Sequence, residues 1–568
     1  MHSRLINIRT QPMRLTKPVV NTASAYCQRL FDRLMPWAFP IVFGIMAAVL
    51  VAPFCQTKVP PVVDYPNHLA GDYILAHLNH SAWLGRIYQP HWAVIPDLAN
   101  DLILLPLLAF LPTFIAGKLV LFMALLAPLA GALFYNYALF RSFTFWPLAS
   151  ALVAFNFAFL LGLSSFLFGL GAAFSVVAVW IMLRERYPGG GIVVLAFGSV
   201  VVFFCHITAM SFLVALFGSY EICQFRQFTI AQASKRILPL LSIALPAGLL
   251  YLISPTASGP WQPIWTSPIE KLLFFFGPVM NYSLALDCMT GVALLAATTF
   301  AVQAGWLQIP RCTLICLIGL LVLFFVAPFR IKGGSFFDLR FIIMAGYLMF
   351  GGMRENPTIP VRHLWAALTC LTIVAGGRIF IVSVIWHAQP HQIALVQQVT
   401  RLVPPGSRVL VANEFPDTAN PYWKQIPTVS LIASIFPDDY HLPTIFLAQR
   451  QAFFQTLFAD PTQQPIAFRP EYQRNSVRSA AWGPPSSAML AKSPLTAVER
   501  ERYPYLLDWQ TNFDYVLVMN AGAMRHPDQF IPGRLSLLGA NNLAALYRVR
   551  LTTGAAPHTD DLNQPGTP

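Results

Sequence analysis

Acidic residues and histidines, the side chains that most often move protons, gather in one early part of this chain. The long apolar region, residues 37–386, contains only ten acidic residues. Four of them, and four of the twelve histidines of the chain, fall between residues 55 and 101: Asp64, Asp72, Asp97, Asp101, His68, His77, His80 and His91. Acidic residues contribute little to the sorting of membrane topology, so sorting does not explain the cluster.

The stretch PPVVDYPNHLAGDYIL, residues 60–75, opens this cluster directly after the first long apolar run. We expect a turn near Pro66 that leads into a helix, with His68 and Asp72 on one face of that helix. Asp64 lies close to the expected membrane boundary, where a low dielectric raises the pKa of a carboxyl group. Asp64, supported by His68 and Asp72, is therefore a candidate general base.

Other interpretations of the same residues stay open at this stage. Asp64 is also suited to cap the helix that follows it, and Asp72 to face solvent. A metal site built from the histidines lacks support, because no HExxH or comparable spacing accompanies them. A divalent cation would be compatible with the carboxylates, but no motif indicates one, so the sequence leaves the cofactor unknown.

A second cluster, PFRIKGGSFFDLRF at residues 328–341, places three cations between two apolar runs. Arg330, Lys332 and Arg340 run against the positive-inside bias if this loop is outside, and anion binding would account for them. Alternatively, Arg340 pairs with Asp338, since a lone charge near the bilayer is costly.

His206, in the apolar stretch VVFFCHITAM, is a further candidate. A polar residue inside an apolar hairpin is often functional. A histidine that bonds to a neighbouring helix explains the same pattern equally well.

The elements that must position these residues are apolar helices. Of the 568 residues 56% are hydrophobic and 11% are charged. Apolar runs recur from residue 37 to 386, and many reach the roughly 18–20 residues that cross a hydrocarbon core of about 30 Å. The fold class predicted is an α-helical polytopic membrane protein with about 11 spans, or about 13 if the short segments 102–116 and 271–286 also cross.

Charge and composition divide the chain into four parts. Residues 1–36 form a basic, cytoplasmic N-terminal arm, and residues 37–386 form the transmembrane domain with a large outer loop at 55–101. Residues 387–555 carry soluble-domain signals and are predicted to form a mixed α/β domain on the outer face, with strands near 407–414, 513–520 and 543–551. Residues 556–568 are expected to be disordered.

The formal net charge of +13 lies mainly in the N-terminal arm and the short loops between apolar runs. That distribution is typical of membrane topology. A nucleic-acid partner is therefore not expected, and membrane lipids are.

The arrangement resembles the GT-C superfamily of integral membrane glycosyltransferases. The likeness is to the bacterial branch that includes protein mannosyltransferases and lipid A aminoarabinose transferases. It is carried by a cytoplasmic N-terminus, one span, an outer loop that opens with the Asp of VVDYPNHLA, further spans and an outer tail. The resemblance implies that Asp64 is the catalytic carboxylate, that Asp97 or Asp101 of PDLAND is a second acidic residue, and that RIKGGSFFDLR holds a lipid phosphate.

The resemblance also implies a function. We expect a sugar to be transferred, with inversion, from a polyprenyl-phosphate donor to a glycan, lipid or protein acceptor on the outer face of a bacterial inner membrane. The alternative is a non-catalytic or transport-type membrane protein of cell-envelope glycan or lipid assembly. The sequence leaves open whether the protein is an enzyme.

Overall fold

The computed structural model describes residues 40–224, 230–259, 261–414, 430–434, 436–476 and 483–550. The predicted N-terminal arm and the predicted disordered end, residues 556–568, lie outside these ranges. The chain divides into two units, residues 1–46 and 47–568, and the first described helix, α1 (Pro40–Gln56), runs across the division.

Helices make up most of the second unit. Those of the apolar region are α2 (Tyr65–His77), α3 (Ala82–Ile87), α4 (Ala99–Leu108), α5 (Thr113–Phe140), α6 (Phe157–Leu161), α7 (Ser164–Leu183), α8 (Pro188–Cys205), α9 (Ile207–Cys223), α10 (Ile230–Ile253), α11 (Pro268–Phe274), α12 (Leu284–Gln303), α13 (Arg311–Val326), α14 (Phe337–Gly351) and α15 (Val361–Thr400). A 3₁₀ helix at Trp146–Val153 precedes α6. Three two- or three-residue strands, β1 (Tyr88–Pro90), β2 (Leu307–Gln308) and β3 (Arg354–Glu355), lie between helices.

Five segments of the described chain are long and apolar enough to cross a membrane: α5, α7, α8, α12 and residues 366–400 of α15. Shorter apolar helices accompany them, among them α1, α4, α9 and α13. The fold class predicted from the sequence, a polytopic α-helical membrane protein with a C-terminal mixed α/β domain, is confirmed. The predicted number of spans stays a prediction.

Small residues allow the central helices to approach closely. A Cβ atom on Gly131 of α5 would lie 2.7 Å from the carbonyl oxygen of Gly171 on α7. Close packing of this kind is the main source of helix association in an apolar medium, where burial from water contributes little. The α5–α7 pair is therefore a rigid support for the loops at its ends.

Two buried carboxylates of the apolar region form ion pairs with buried cations. Asp338 accepts a hydrogen bond from Lys271 at 2.6 Å, and Asp287 binds Arg378 at 3.0 Å. Removing one member of such a buried pair strands the other charge, which is strongly destabilising. Asp338 thus forms its ion pair with Lys271, while it also acts electrostatically on Arg340, the partner that the sequence left open.

The C-terminal region is a mixed α/β domain. Its strands are β4 (Arg408–Asn413), β5 (Leu431–Ile432), β6 (Phe436–Pro437), β7 (Phe453–Phe454), β8 (Ile466–Phe468), β9 (Tyr515–Met519), β10 (Leu535–Ala540) and β11 (Ala544–Val549). Its helices are α16 (Pro443–Gln449), α17 (Pro470–Gln473), α18 (Ser487–Ala491), α19 (Ala497–Arg502) and α20 (Trp509–Asn512). Five strands form a sheet in the order β10-β11-β9-β4-β7, with β4 parallel to both of its neighbours.

The loop at residues 55–101, which the sequence predicts to be outside, and the C-terminal domain join in one structure. Strand β1 of the loop pairs antiparallel with β8 of the domain, with Gln89 opposite Ala467. Helix α16 packs against α2. The predicted boundary at residue 387 falls inside α15, a continuous helix of 40 residues. The side chains of the outer loop therefore meet residues far away in the sequence.

Candidate functional site

Asp64 is the residue that directly precedes α2. The backbone N–H of Val63 donates to the carbonyl of Leu160, and that of Asp64 donates to Leu161, so the end of α6 fixes the approach. Gly162 follows with a φ of +94°, and a Cβ there would lie 2.9 Å from the Cβ of Asp64. Only glycine combines this backbone conformation with this close approach.

The Asp64 side chain does not cap the helix that it precedes. It is 26% exposed, and its Oδ1 lies 3.7 Å from Nε2 of His441. Desolvation of the carboxyl group by the surrounding protein raises the pKa of Asp64 to about 7, and the positive charge of the nearby Arg340 offsets part of that rise. The helix-cap interpretation is therefore wrong for Asp64, whose carboxyl group is left available.

A small cavity of about 30 Å³ lies next to Gly162, the glycine whose added Cβ would contact Asp64; Asp64 itself does not line it. Its walls come from α2, from the turn before α4, from the α6–α7 connection, from the α8–α9 junction and from α14. The lining residues are His68, Asp97, Gly162, Leu163, Ser164, Ser165, Phe166, His206 and Arg340. It has room for about one water molecule, so a sugar would have to sit at its mouth.

Arg340 supplies the positive charge of the cavity. It is 7% exposed, its Nη1 donates to the carbonyl of Ser335 at 3.0 Å, and its guanidinium lies 5.8 Å from the ring centroid of Phe166. Asp97, Asp338 and Asp64 all lie near enough to act on it electrostatically. A buried guanidinium is a site at which an anionic group can be bound and its charge stabilised.

Asp97 enters the cavity from a strained turn. Its φ is +148°, a conformation that a non-glycine residue adopts only when its surroundings impose it. The N–H of Leu98 donates to Phe204, and the Ser165 hydroxyl donates to the Asp97 carbonyl at 3.3 Å. Burial raises the pKa of Asp97 to about 7, Arg340 and a hydrogen bond from Ser165 lower it, and the neighbouring carboxyl groups raise it.

Two histidines, His68 and His206, line the cavity. Burial lowers the pKa of His68 to about 4, so that its ring is neutral at ordinary pH. His206 caps α9 through its Nδ1, which accepts the N–H of Thr208 at 3.0 Å. The sequence left open whether His206 is functional or structural. It is both the cap of a helix and part of the cavity wall.

Asp72 and Asp101 lie behind the cavity and do not line it. Asp72 is fully buried, and its Oδ2 accepts a hydrogen bond from Asn100 at 3.2 Å. Burial raises the pKa of Asp72 well above its usual range, and the adjacent Asp101 raises it further. The Asn100 backbone and side chain also bond Ser165 and Ser164, which links this pair to the cavity wall.

The remaining sequence candidates face elsewhere. Lys332 donates to the carbonyl of Ala257 at 2.6 Å and lies over the ring of Tyr251. Arg330 donates to the Ser335 hydroxyl at 3.2 Å. Neither lines the cavity, and the phosphate-binding role predicted for both stays a prediction. In the described part of the chain, no group of three or more His, Cys, Asp or Glu residues is arranged to hold a metal ion.

His441 belongs to the site, and sequence reasoning missed it. It lies in FPDDYHLPTIF, residues 436–446 of the C-terminal domain, and it is 3% exposed. Its Nδ1 lies 3.4 Å from the amide nitrogen of Asn67, a residue 374 positions earlier. The acidic DDYH stretch was visible in the sequence, but nothing local indicated that it would meet the first outer loop.

Comparison with known proteins gives one similarity of fold. No protein-family model and no curated protein matches this sequence. The crystal structure of ArnT from Cupriavidus metallidurans bound to undecaprenyl phosphate is similar over 92% of this chain and 100% of that chain. The identity is 11% and the TM-score is 0.49. At this identity and TM-score the likeness carries no conclusion about this chain, and any conclusion about function rests on the side chains.

Proposed function

We propose that this protein transfers a sugar from a polyprenyl-phosphate donor to an acceptor hydroxyl at the outer face of a bacterial inner membrane, with Asp64 as the general base. The observation that carries the proposal is the placement of a partly exposed, uncapped carboxyl group beside the buried cation Arg340. The donor class is the one that the resemblance to GT-C enzymes implies.

The reaction follows from the charges on either side of the cavity mouth. Asp64 accepts the proton of the acceptor hydroxyl, and the hydroxyl oxygen forms a bond to the anomeric carbon. On the opposite side of that carbon the bond to the phosphate oxygen breaks, and the polyprenyl phosphate leaves with the electron pair. Attack in line with departure inverts the anomeric centre.

Arg340 stabilises the charge that develops on the departing phosphate. Its guanidinium is already desolvated and held by Ser335, so little reorganisation accompanies the reaction. Asp97, on the same cavity wall, is placed to contact a hydroxyl group of the sugar or to limit the excess positive charge of Arg340. Membrane helices would orient the polyprenyl chain.

The pKa of Asp64 suits this role. A base with a pKa of about 7 is roughly half ionised at neutral pH and still basic enough to accept a proton. Only the ionised form can accept a proton. We therefore expect kcat/KM to rise with pH up to about 7 and to level off above it.

Substitution of Asp64 tests the proposal. Purified full-length protein in lipid nanodiscs would be incubated with a panel of synthetic polyprenyl-phosphate sugars, and the release of polyprenyl phosphate would be measured. Asp64→Asn should lower the release at least about 10²-fold, because the amide cannot accept the proton.

Asp460→Asn is the matched control, because Asp460 caps a turn at Thr462 in the C-terminal domain. It should leave the release within about threefold of wild type. Equal rates in the wild type and in Asp64→Asn, or a wild type that consumes no donor in the panel, would overturn the assignment.

A further inference from the structure

His441 and Asp64 face each other across the junction between the outer loop and the C-terminal domain. The facing atoms are Nε2 of His441 and Oδ1 of Asp64, at 3.7 Å. This separation is too long for a hydrogen bond as it stands. Catalytic hydrogen bonds are often long without substrate and tighten when it binds. Whether the imidazole can donate to Asp64 depends on which of its nitrogens carries the hydrogen.

The hydrogen bonds of Asn67 determine which ring nitrogen of His441 carries the hydrogen. Its Oδ1 accepts the backbone N–H of Phe458 at 2.9 Å, and its Nδ2 donates to the carbonyl of Thr456 at 2.7 Å. These two backbone partners fix which end of the amide is nitrogen. The second hydrogen of Nδ2 is then directed to Nδ1 of His441, at 3.4 Å.

A ring nitrogen that faces an N–H donor has to present its lone pair. Nδ1 of neutral His441 is therefore the acceptor, and the ring hydrogen is on Nε2, the atom that faces Asp64. The ring itself is held between aromatic neighbours, at 5.0 Å from Phe458 and 5.0 Å from Tyr440 between ring centroids.

We propose that His441 is a positioning residue from the C-terminal domain, whose Nε2–H holds one oxygen of the Asp64 carboxylate so that the other faces the acceptor hydroxyl. The catalytic consequence rests on the proposed function, whereas the coupling between His441 and Asp64 does not. The C-terminal domain thereby contributes to the reaction centre in addition to any role in acceptor selection.

Several other charged or titratable groups act on this pair. Arg340 faces Asp64 from α14, and Asp97 does so from the turn before α4. His68 of α2 acts on His441. In the C-terminal domain the Asp64 charge acts on Tyr440, which also interacts with Tyr503 and Arg502. Burial, together with His68, lowers the pKa of His441 to about 3, so the ring stays neutral over the working range.

The sign of the expected effect follows from hydrogen bonding to the charged form. A donor to the carboxylate favours ionised Asp64 and so lowers its pKa. Loss of the donor has the opposite effect, and the midpoint of Asp64 ionisation should move to higher pH. The acidic limb of kcat/KM should move with it.

Two variants of His441 distinguish the loss of the N–H donor from the loss of side-chain packing. His441→Phe keeps the aromatic ring and removes the N–H, whereas His441→Gln keeps an N–H near the position of Nε2. The midpoint of Asp64 would be measured by infrared spectroscopy on the full chain in nanodiscs, as the carboxyl band that disappears in Asp64→Asn. We expect a rise of about one pH unit in the Phe variant and a rise of less than half of that in the Gln variant.

Gln455→Ala is the matched control for general loss of packing in the C-terminal domain. Gln455 is fully buried and bonds both backbone groups of Val411. Its replacement should lower thermal stability and leave the Asp64 midpoint unchanged. An unchanged midpoint in His441→Phe, or equal shifts in the Phe and Gln variants, would refute the proposal.

A measurement on the wild-type chain does not depend on the folding of a variant. The ¹⁵N resonances of His441, assigned as those lost in His441→Gln, should report a neutral ring with its hydrogen on Nε2. A hydrogen on Nδ1 would contradict the proposal. If the midpoint moves as expected but no donor is consumed by wild type, the coupling holds and the proposed function fails.

Discussion

Asp64 combines two properties that a base at a membrane surface needs. It is exposed enough, at 26%, to meet a substrate, and its surroundings are buried enough to raise its pKa to about 7. Arg340 provides the complementary charge and limits that rise. Asp97 lines the cavity together with Arg340 and interacts electrostatically with both Arg340 and Asp64.

Arg340 is the side chain whose loss should act on the chemical step. Arg340→Gln should lower kcat by about 10²–10³-fold, because the departing phosphate loses its buried donor. Arg340→Lys should retain part of the activity, since the charge remains but the fork geometry is lost. Rates of polyprenyl phosphate release at saturating donor would measure both.

Arg354→Gln is the control for the loss of an arginine at the other end of α14. Arg354 donates to Gln308 between β2 and β3. It should remain within about threefold of wild type. A similar loss in both variants would show that the effect of Arg340 is structural.

Part of the site was visible in the sequence. Asp64 and Arg340 were identified because charged residues are rare in an apolar chain. Rare residues can be recognised in the sequence without knowledge of the fold. His441 could not be found in this way, because its role depends on a contact with Asn67 across 374 positions. Nor could the sequence separate Arg340 from Arg330 and Lys332, since which cation faces a cavity depends on how the loop folds.

At the level of the elements, Asp64 is held by the end of α6. The apolar stretch that precedes Gly162 is divided into a 3₁₀ helix, Trp146–Val153, and α6. Asn156 causes the division: its Oδ1 accepts the N–H of Phe159, while its Nδ2 donates to the Val153 carbonyl. An apolar composition predicts burial of this segment, but it does not show that one buried amide ends one helix and starts another.

Gly162 tests whether this junction sets the position of Asp64. Gly162→Ala should lower turnover at least about tenfold, because the new Cβ would displace the Asp64 side chain. Gly305→Ala is the matched control, since Gly305 also has a positive φ, of +72°, but no atom lies within 4 Å of an added Cβ.

Both glycine variants should lose about 1–2 kcal/mol of stability from left-handed backbone strain. Only Gly162→Ala should lose activity beyond that common effect. Thermal unfolding and donor consumption, measured on the same preparations, would separate the two. Full activity in Gly162→Ala would show that Asp64 is not held by this contact.

At the scale of the whole molecule, the loop at residues 55–101 and the C-terminal domain contact each other next to the site. Composition correctly predicted apolar helices followed by a mixed α/β domain, because hydropathy and strand patterning are local properties. The pairing of β1 with β8 and the packing of α2 against α16 join residues that are far apart in the sequence. Separately, the predicted domain boundary at residue 387 falls inside the continuous helix α15. The division into domains was therefore less predictable than the elements.

The central claim is that Asp64 and Arg340 flank a single reaction centre for a polyprenyl-phosphate sugar. A structure of the full chain in nanodiscs with bound polyprenyl phosphate tests it most directly. The account predicts a phosphate oxygen within about 3.2 Å of the Arg340 guanidinium, at the mouth of the cavity that Arg340 lines and close to the Asp64 carboxyl group. A phosphate bound outside hydrogen-bonding distance of Arg340, with Asp64 facing away from it, would contradict the account.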